Sequence, residues 1–278
     1  MSLTRPQNII GGARVIPTAS YAGGMWNLGE AAFYRSYYSS SNAPWPTNMI
    51  TRGLIGYWDA NNTNSYPGTG TTWSDLSGNG YTGTLTNGPT FSSSNGGGIV
   101  FDGSNDYVDT TYNGNTGNNF TVSAWCYPTA VGGANGSEIV VKNYAVTQPF
   151  GSYTIDYLST SKFRFGVANN LTLSQVTQTG TSAINNFYYV VLTFGGDTSD
   201  KTIRGYVNIN GTMTLDATST IANNPAYNTQ KFNIGSFGLS TTGNSFTGTI
   251  YIAQLYNVAL TAAEIQQNFD AMRGRFGI

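Results

Sequence analysis

Histidine is absent from the 278 residues, cysteine occurs once, at Cys126, and glutamate three times, at Glu30, Glu138 and Glu264. With no imidazole, a serine or cysteine triad has no base in its usual form. Zinc, copper and haem iron lose the ligands they prefer, because one thiol and no histidine cannot build their sites. A lone cysteine also rules out an intrachain disulfide, so Cys126 reads as a small apolar packing residue. Charged side chains make up only 9% of the chain and the net charge is −1. No basic run exists to meet phosphate, so nucleic acid is not an expected partner. No run of about 18 apolar residues occurs, so no membrane insertion is expected. The first twenty residues lack the apolar segment of a secretory signal. These absences leave little means to move protons or activate a metal, and the chain reads as a protein that binds or builds rather than an enzyme.

What is abundant is glycine, at 35 residues, and tyrosine, at 19, set among serine, threonine and asparagine. From residue 53 onward, strand-like runs alternate with Gly/Asn/Ser turns. They fall at 54–58, 98–101, 120–127, 139–141, 152–157, 162–167, 187–194, 202–209, 231–234 and 247–256. In one of them Val122, Ala124 and Cys126 alternate with Thr121, Ser123 and Trp125. Another, carrying Val207 and Ile209, runs into Asn210-Gly211, a strong type I′ hairpin signal. Alternation with short turns predicts an all-β, two-sheet antiparallel sandwich. One short helix closes the chain: Thr261 and Glu264 form a capping box, Ile265, Phe269 and Met272 share a face, and Gly274 supplies the stop.

Residues 1–52 read differently and are taken as an anchoring arm, with 53–278 as the domain. Glycine and proline punctuate the arm's start, and a short helix is expected over 27–38, capped by Asn27 with Glu30 three residues on. The aromatic and apolar side chains of this stretch, among them Trp26, Leu28, Phe33, Tyr34 and Trp45, would make a poor free surface. Residues 1–53 carry a net +3 and the remainder −4, which is either chance in a weakly charged chain or a basic arm docking on an acidic neighbour.

Several segments together resemble the laminin G-like jelly roll of the concanavalin A-like lectin/glucanase superfamily. They are GLIGYWDAN at 53–61, DLSGNG at 75–80, GTL at 83–85, FDGSNDYV at 101–108, FTVSAW at 120–125, and the closing strand and helix over 248–265. The likeness spans about residues 53–275 and implies a jelly roll. In the arm, GMWNL at 24–28 and Trp45-Pro46 resemble the N-terminal part of tailed-phage virion structural proteins. That resemblance implies a virion location, assembly with other virion proteins and sister subunits, and a symmetric multimer.

Candidate sites are few. Glucan-cleaving members of the superfamily use paired acids on one strand, and glycoside hydrolysis needs two carboxyls about 5–10 Å apart. No strand here carries two acids on one face. Asp102, Asp106 and Asp109 cluster at a turn and are the one metal candidate, for calcium, whose hard-oxygen preference they suit. The competing reading is that they cap the turn's own backbone. No cofactor is required otherwise. For sugar, Tyr144, Tyr227 and Asn228 could form an exposed platform in the loops, whereas Trp58, Trp73 and Trp125 read as packing residues. The expected function is a non-enzymatic virion structural protein, a decoration or fibre component held by its arm. The alternative is a lectin-like module for host-surface glycan, and a glycan hydrolase stands third.

Overall fold

Strands whose side chains alternate across two faces pair here into two antiparallel sheets. The computed structural model describes residue 46 and residues 48–133, 136–142, 152–169, 172–195, 199–227, 229–236 and 244–278. The expected helix at 27–38, and with it Trp26, Leu28, Phe33, Tyr34 and Trp45, lies outside the described residues. In chain order the strands are β1 (Leu54–Asp59), β2 (Thr72–Trp73), β3 (Gly83–Thr86), β4 (Thr90–Ser92), β5 (Gly98–Asp102), β6 (Tyr107–Thr110), β7 (Phe120–Pro128) and β8 (Ser137–Lys142). They continue with β9 (Tyr153–Tyr157), β10 (Phe163–Ala168), β11 (Leu173–Thr177), β12 (Tyr188–Phe194), β13 (Thr202–Ile209), β14 (Thr212–Thr220), β15 (Phe232–Ile234) and β16 (Thr247–Tyr256). A helix, α1 (Ala262–Met272), ends the fold.

One sheet runs β14-β13-β12-β7-β16-β5-β4, with β1 sharing the edge of β16 beyond β5. The second runs β11-β10-β9-β8-β15-β6-β3-β2. Their facing sides form the main core. Trp58, Phe101, Phe120, Val122 and Val190 come from the first sheet, and Val108, Ile155, Phe165 and Ile234 from the second. Each such side chain contributes about 1.5–3 kcal/mol by leaving water. The sheets close tightly over Gly205, where an added Cβ would sit 2.2 Å from Phe165 Cδ2. The Asn210-Gly211 turn forms as expected, with both residues at positive φ (51° and 79°) and Ile209 opposite Thr212.

The first sheet is buried on its outer face as well. Cys126, Val122 and Ala124 point into the sandwich, while Thr121, Ser123 and Trp125 point towards α1, and all six are buried. Trp125 stacks on Phe276 at 4.3 Å, Tyr189 at 5.1 Å and Phe269 at 5.5 Å. Ser123, Tyr189 and Gln254 satisfy one another's polar atoms beneath the helix. The capping box at Thr261 and Glu264 is present, and Ile265, Asn268, Phe269 and Met272 are the buried residues of α1. The helix gives way at Arg273 to a short 3₁₀ turn, and the left-handed glycine is Gly277 rather than Gly274. That turn lets Arg275 reach the buried Asp59 at 2.7 Å and the carbonyls of Asn95 and Gly97.

The chain before β1 joins this layer. Met49 is buried in it, Ile50 N–H donates to Asn268, and Arg52 pairs with Glu264 at 2.8 Å. We call this sheet the helix-side sheet. No helix among the described residues is long and apolar enough to cross a membrane.

Two of the resemblance motifs supply turn chemistry. Asp75 accepts the backbone N–H groups of Tyr57, Ser77 and Tyr81, pinning its loop to β1. At Gly103, in the FDGSNDYV stretch, φ is +82° and a Cβ would strike Thr247 Oγ1.

Candidate functional site

The outer face of the second sheet has a different composition. In β9 the core takes Tyr153, Ile155 and Tyr157, leaving Thr154 and Asp156 to face outwards. In β10 it takes Phe163, Phe165 and Val167, leaving Arg164 and Gly166. A bulge in β8 between Glu138 and Val140 lets Ile139 and Val140 both enter the core. Glu138 is thereby set opposite Asp156. The registers join a row across the sheet: Thr84, Asp109, Asn233, Val141, Thr154, Gly166 and Gln175. The middle of this row is shielded, while Thr84 and Gln175 at its ends are exposed.

Beside the row sits a buried charged group. Glu138 is 4% exposed and Asp156 1%. Arg164 donates to Asp156 through Nε at 2.8 Å and Nη2 at 2.7 Å, and the Thr154 hydroxyl donates to the other carboxylate oxygen. Burial raises both carboxyls above their ordinary range, and the charge of Asp156 raises Glu138 further. Arg164 and Thr154 hold the negative charge on Asp156, so a proton retained by the pair belongs on Glu138. Glu138 Oε2 is buried and has no hydrogen-bond partner, and Asn233 Oδ1 shares that condition. Both belong to this face.

Sequence reasoning missed this group. Each acid is alone on its strand, as expected, and the pair forms across two strands. The available signal was a charge at an alternate position within two apolar strands, Asp156 in YTIDY and Arg164 in FRFGVA.

The acids singled out from the sequence lie outside that group, with partners of their own. Asp102 accepts the N–H of Ser104 at 2.8 Å, and Asp106 accepts the N–H of Asp102 at 3.0 Å. Burial raises the Asp106 carboxyl. Asp109 pairs with Lys231 at 2.6 Å. The three act as turn caps and a surface ion pair, and no group of three potential metal ligands occurs among the described residues. Tyr227 is half-buried, with its hydroxyl 2.7 Å from Thr116 Oγ1 and bonded to the Gly117 carbonyl. Tyr144 and Asn228 lie outside the described residues. Trp58 and Trp73 pack between the sheets and Trp125 under α1, so all three are packing residues. Cys126 is fully buried, and burial pushes its thiol up.

The fold has solved counterparts. The binding domain of botulinum neurotoxin DC, in complex with SialylT, superposes with a TM-score of 0.57 at 12% identity, over 80% of this chain and 52% of that one. Trypanosoma rangeli sialidase, in complex with the inhibitor DANA, gives 0.55 at 17% identity, over 87% and 37%. Domain 4 of AbnA, a GH43 extracellular arabinanase from Geobacillus stearothermophilus in complex with arabinotriose, gives 0.57 at 14% identity, over 79% and 98%. The chain thus spans about half or less of the neurotoxin and sialidase chains. No curated protein matches the sequence. Residues 102–266 match the Laminin_G_3 family, and the chain belongs to the concanavalin A-like lectin/glucanases superfamily.

Proposed function

We propose that the chain is a non-catalytic glycan-binding module, held on a larger assembly by its N-terminal arm and presenting the outer face of the second sheet. The observation that carries this reading is the pair of unpartnered side-chain oxygens there, Glu138 Oε2 and Asn233 Oδ1. Buried polar atoms without partners are costly, and sugar hydroxyls, which both donate and accept, can partner either oxygen. The solved counterparts include proteins in complex with SialylT and with arabinotriose, which agrees with this chemistry. Hydrolysis is disfavoured in this reading because both oxygens of Asp156 are engaged by Arg164 and Thr154. A carboxylate held by an ion pair and a hydroxyl is a weaker nucleophile or base than one without them. Calcium has no role in the proposed site.

The assembly half of the proposal is a tailed-phage virion, with the arm packed against virion proteins or sister subunits. It rests on the GMWNL and Trp45-Pro46 resemblance. The attachment of residues 49–52 to α1 and the helix-side sheet favours it, since an anchor on that side turns the second sheet outward.

A glycan array probed with the full chain tests the binding half. Specific hits that survive EDTA are expected, with no release of reducing sugar. A blank array across varied microbial glycans contradicts it, and turnover of a polysaccharide would replace it with the hydrolase reading. Removal of residues 1–45 tests the assembly half: the remaining domain should fold and fail to incorporate into particles.

A further inference from the structure

A second polar cluster lies between the sheets, where β8 ends. The register sets Lys142 on the inner face beside Phe232 and Tyr153. Its side chain is fully buried. Nζ donates to the Gln230 carbonyl at 2.5 Å and sits 5.5 Å from the centre of the Tyr112 ring. No carboxylate pairs with it among the described residues, and burial lowers its amine to about 8. The hydroxyls of Tyr112 and Tyr153 are buried and have no hydrogen-bond partner, and the two tyrosines are 3% and 1% exposed. Burial raises both hydroxyls, Tyr112 lies close enough to raise Tyr153 further, and Tyr227 raises both. Tyr227, half-buried and tied to Thr116 and Gly117, stands where this end meets solvent.

These groups share one need. An ammonium can only donate, and left without a counter-charge it is among the costliest groups to bury. A phenol hydroxyl can turn its proton towards a common acceptor. A water molecule would satisfy the hydroxyls but leave the charge unmatched. One cation balances one negative charge, which fits a carboxylate better than a doubly charged phosphate. We propose that Lys142, Tyr112 and Tyr153 bind the carboxylate of a small acid, either a free monocarboxylate or the carboxyl of an acidic sugar, entering past Tyr227. This site is separate from the outer face of the second sheet and stands without it.

The test uses the full chain at pH 7 and constant ionic strength, titrated with sodium acetate or sodium glucuronate and followed by thermal denaturation and calorimetry. Sodium chloride and glucose are the controls. A saturable rise in Tm with a carboxylate and not with the controls is the expected result. A response to acetate identifies a free acid as sufficient, and tighter binding of glucuronate identifies an acidic sugar. Lys142→Met should abolish the response. Tyr153→Phe removes only an unpartnered hydroxyl, so it should keep the unliganded Tm and weaken carboxylate affinity about tenfold. Equal behaviour in acetate, glucuronate and chloride, or an undiminished response in Tyr153→Phe, overturns the proposal and leaves internal water only.

Discussion

The two sheets differ most in what their outer faces carry. The helix-side sheet presents Trp125, Tyr189, Tyr251 and Ile252, and α1 and the closing 3₁₀ turn cover them with Phe269, Met272 and Phe276. Beneath the helix, Ser123, Tyr189 and Gln254 match one another's polar atoms, while the indole N–H of Trp125 has no partner. The second sheet presents Thr154, Gly166, Asn233, Glu138 and Asp156 outwards. No described helix lies on it, and two side-chain oxygens stay unmatched. One face is built to be closed by its own chain. The other, among the described residues, holds two buried side-chain oxygens without a partner, which a ligand reaching them would satisfy.

Substitutions sharpen this contrast. Trp125→Ala removes a ring held among Tyr189, Phe269 and Phe276, and should cost about 3–5 kcal/mol in denaturant unfolding. Glycan binding by the folded fraction should be unchanged. Arg275→Met leaves Asp59 buried without its cation and should cost about 3 kcal/mol. Adding Asp59→Asn should recover much of that loss.

Glu138→Gln tests the second face through pH. The native Glu138 carboxyl is raised above its ordinary value of about 4.3. Its stabilising contribution is therefore full below that value and is lost as pH rises through the native value. The glutamine variant does not titrate there, so its stability relative to wild type should grow between pH 4 and pH 8. A constant gap would mean that Glu138 is not held protonated. The smallest effect belongs to Thr261→Ala, which removes the cap of α1 and should cost about 1 kcal/mol.

Much of the fold was legible in local pattern. The alternation of β7, the Asn210-Gly211 hairpin and the capping box of α1 are short-range signals, and each formed. The edge strands β2, β4 and β11 were harder to see, being two, three and five residues long with little apolar content. The alternation in β7 also concealed something. Thr121 and Ser123 look like a solvent face but are buried, because α1 and the 139-residue-distant Leu260 return to cover them.

The candidate site was the least legible part. Glu138 meets Asp156 through a strand pairing and a bulge, and neither leaves a mark on the spacing of the two residues. Asp102, Asp106 and Asp109 stood out because they are close in sequence, and closeness in a turn is what backbone capping requires. The local pattern points to Gly274 as the helix stop, since nothing local reveals that a 3₁₀ turn carries Arg275 to Asp59 and puts the left-handed glycine at Gly277.

The most direct test compares glycan-array binding of the wild type with Asn233→Ala on the second face and Gln267→Ala on the exposed side of α1. The account predicts that Asn233→Ala loses the hits with stability unchanged and that Gln267→Ala keeps them. Retention of every hit by Asn233→Ala, or their loss in Gln267→Ala, would contradict it.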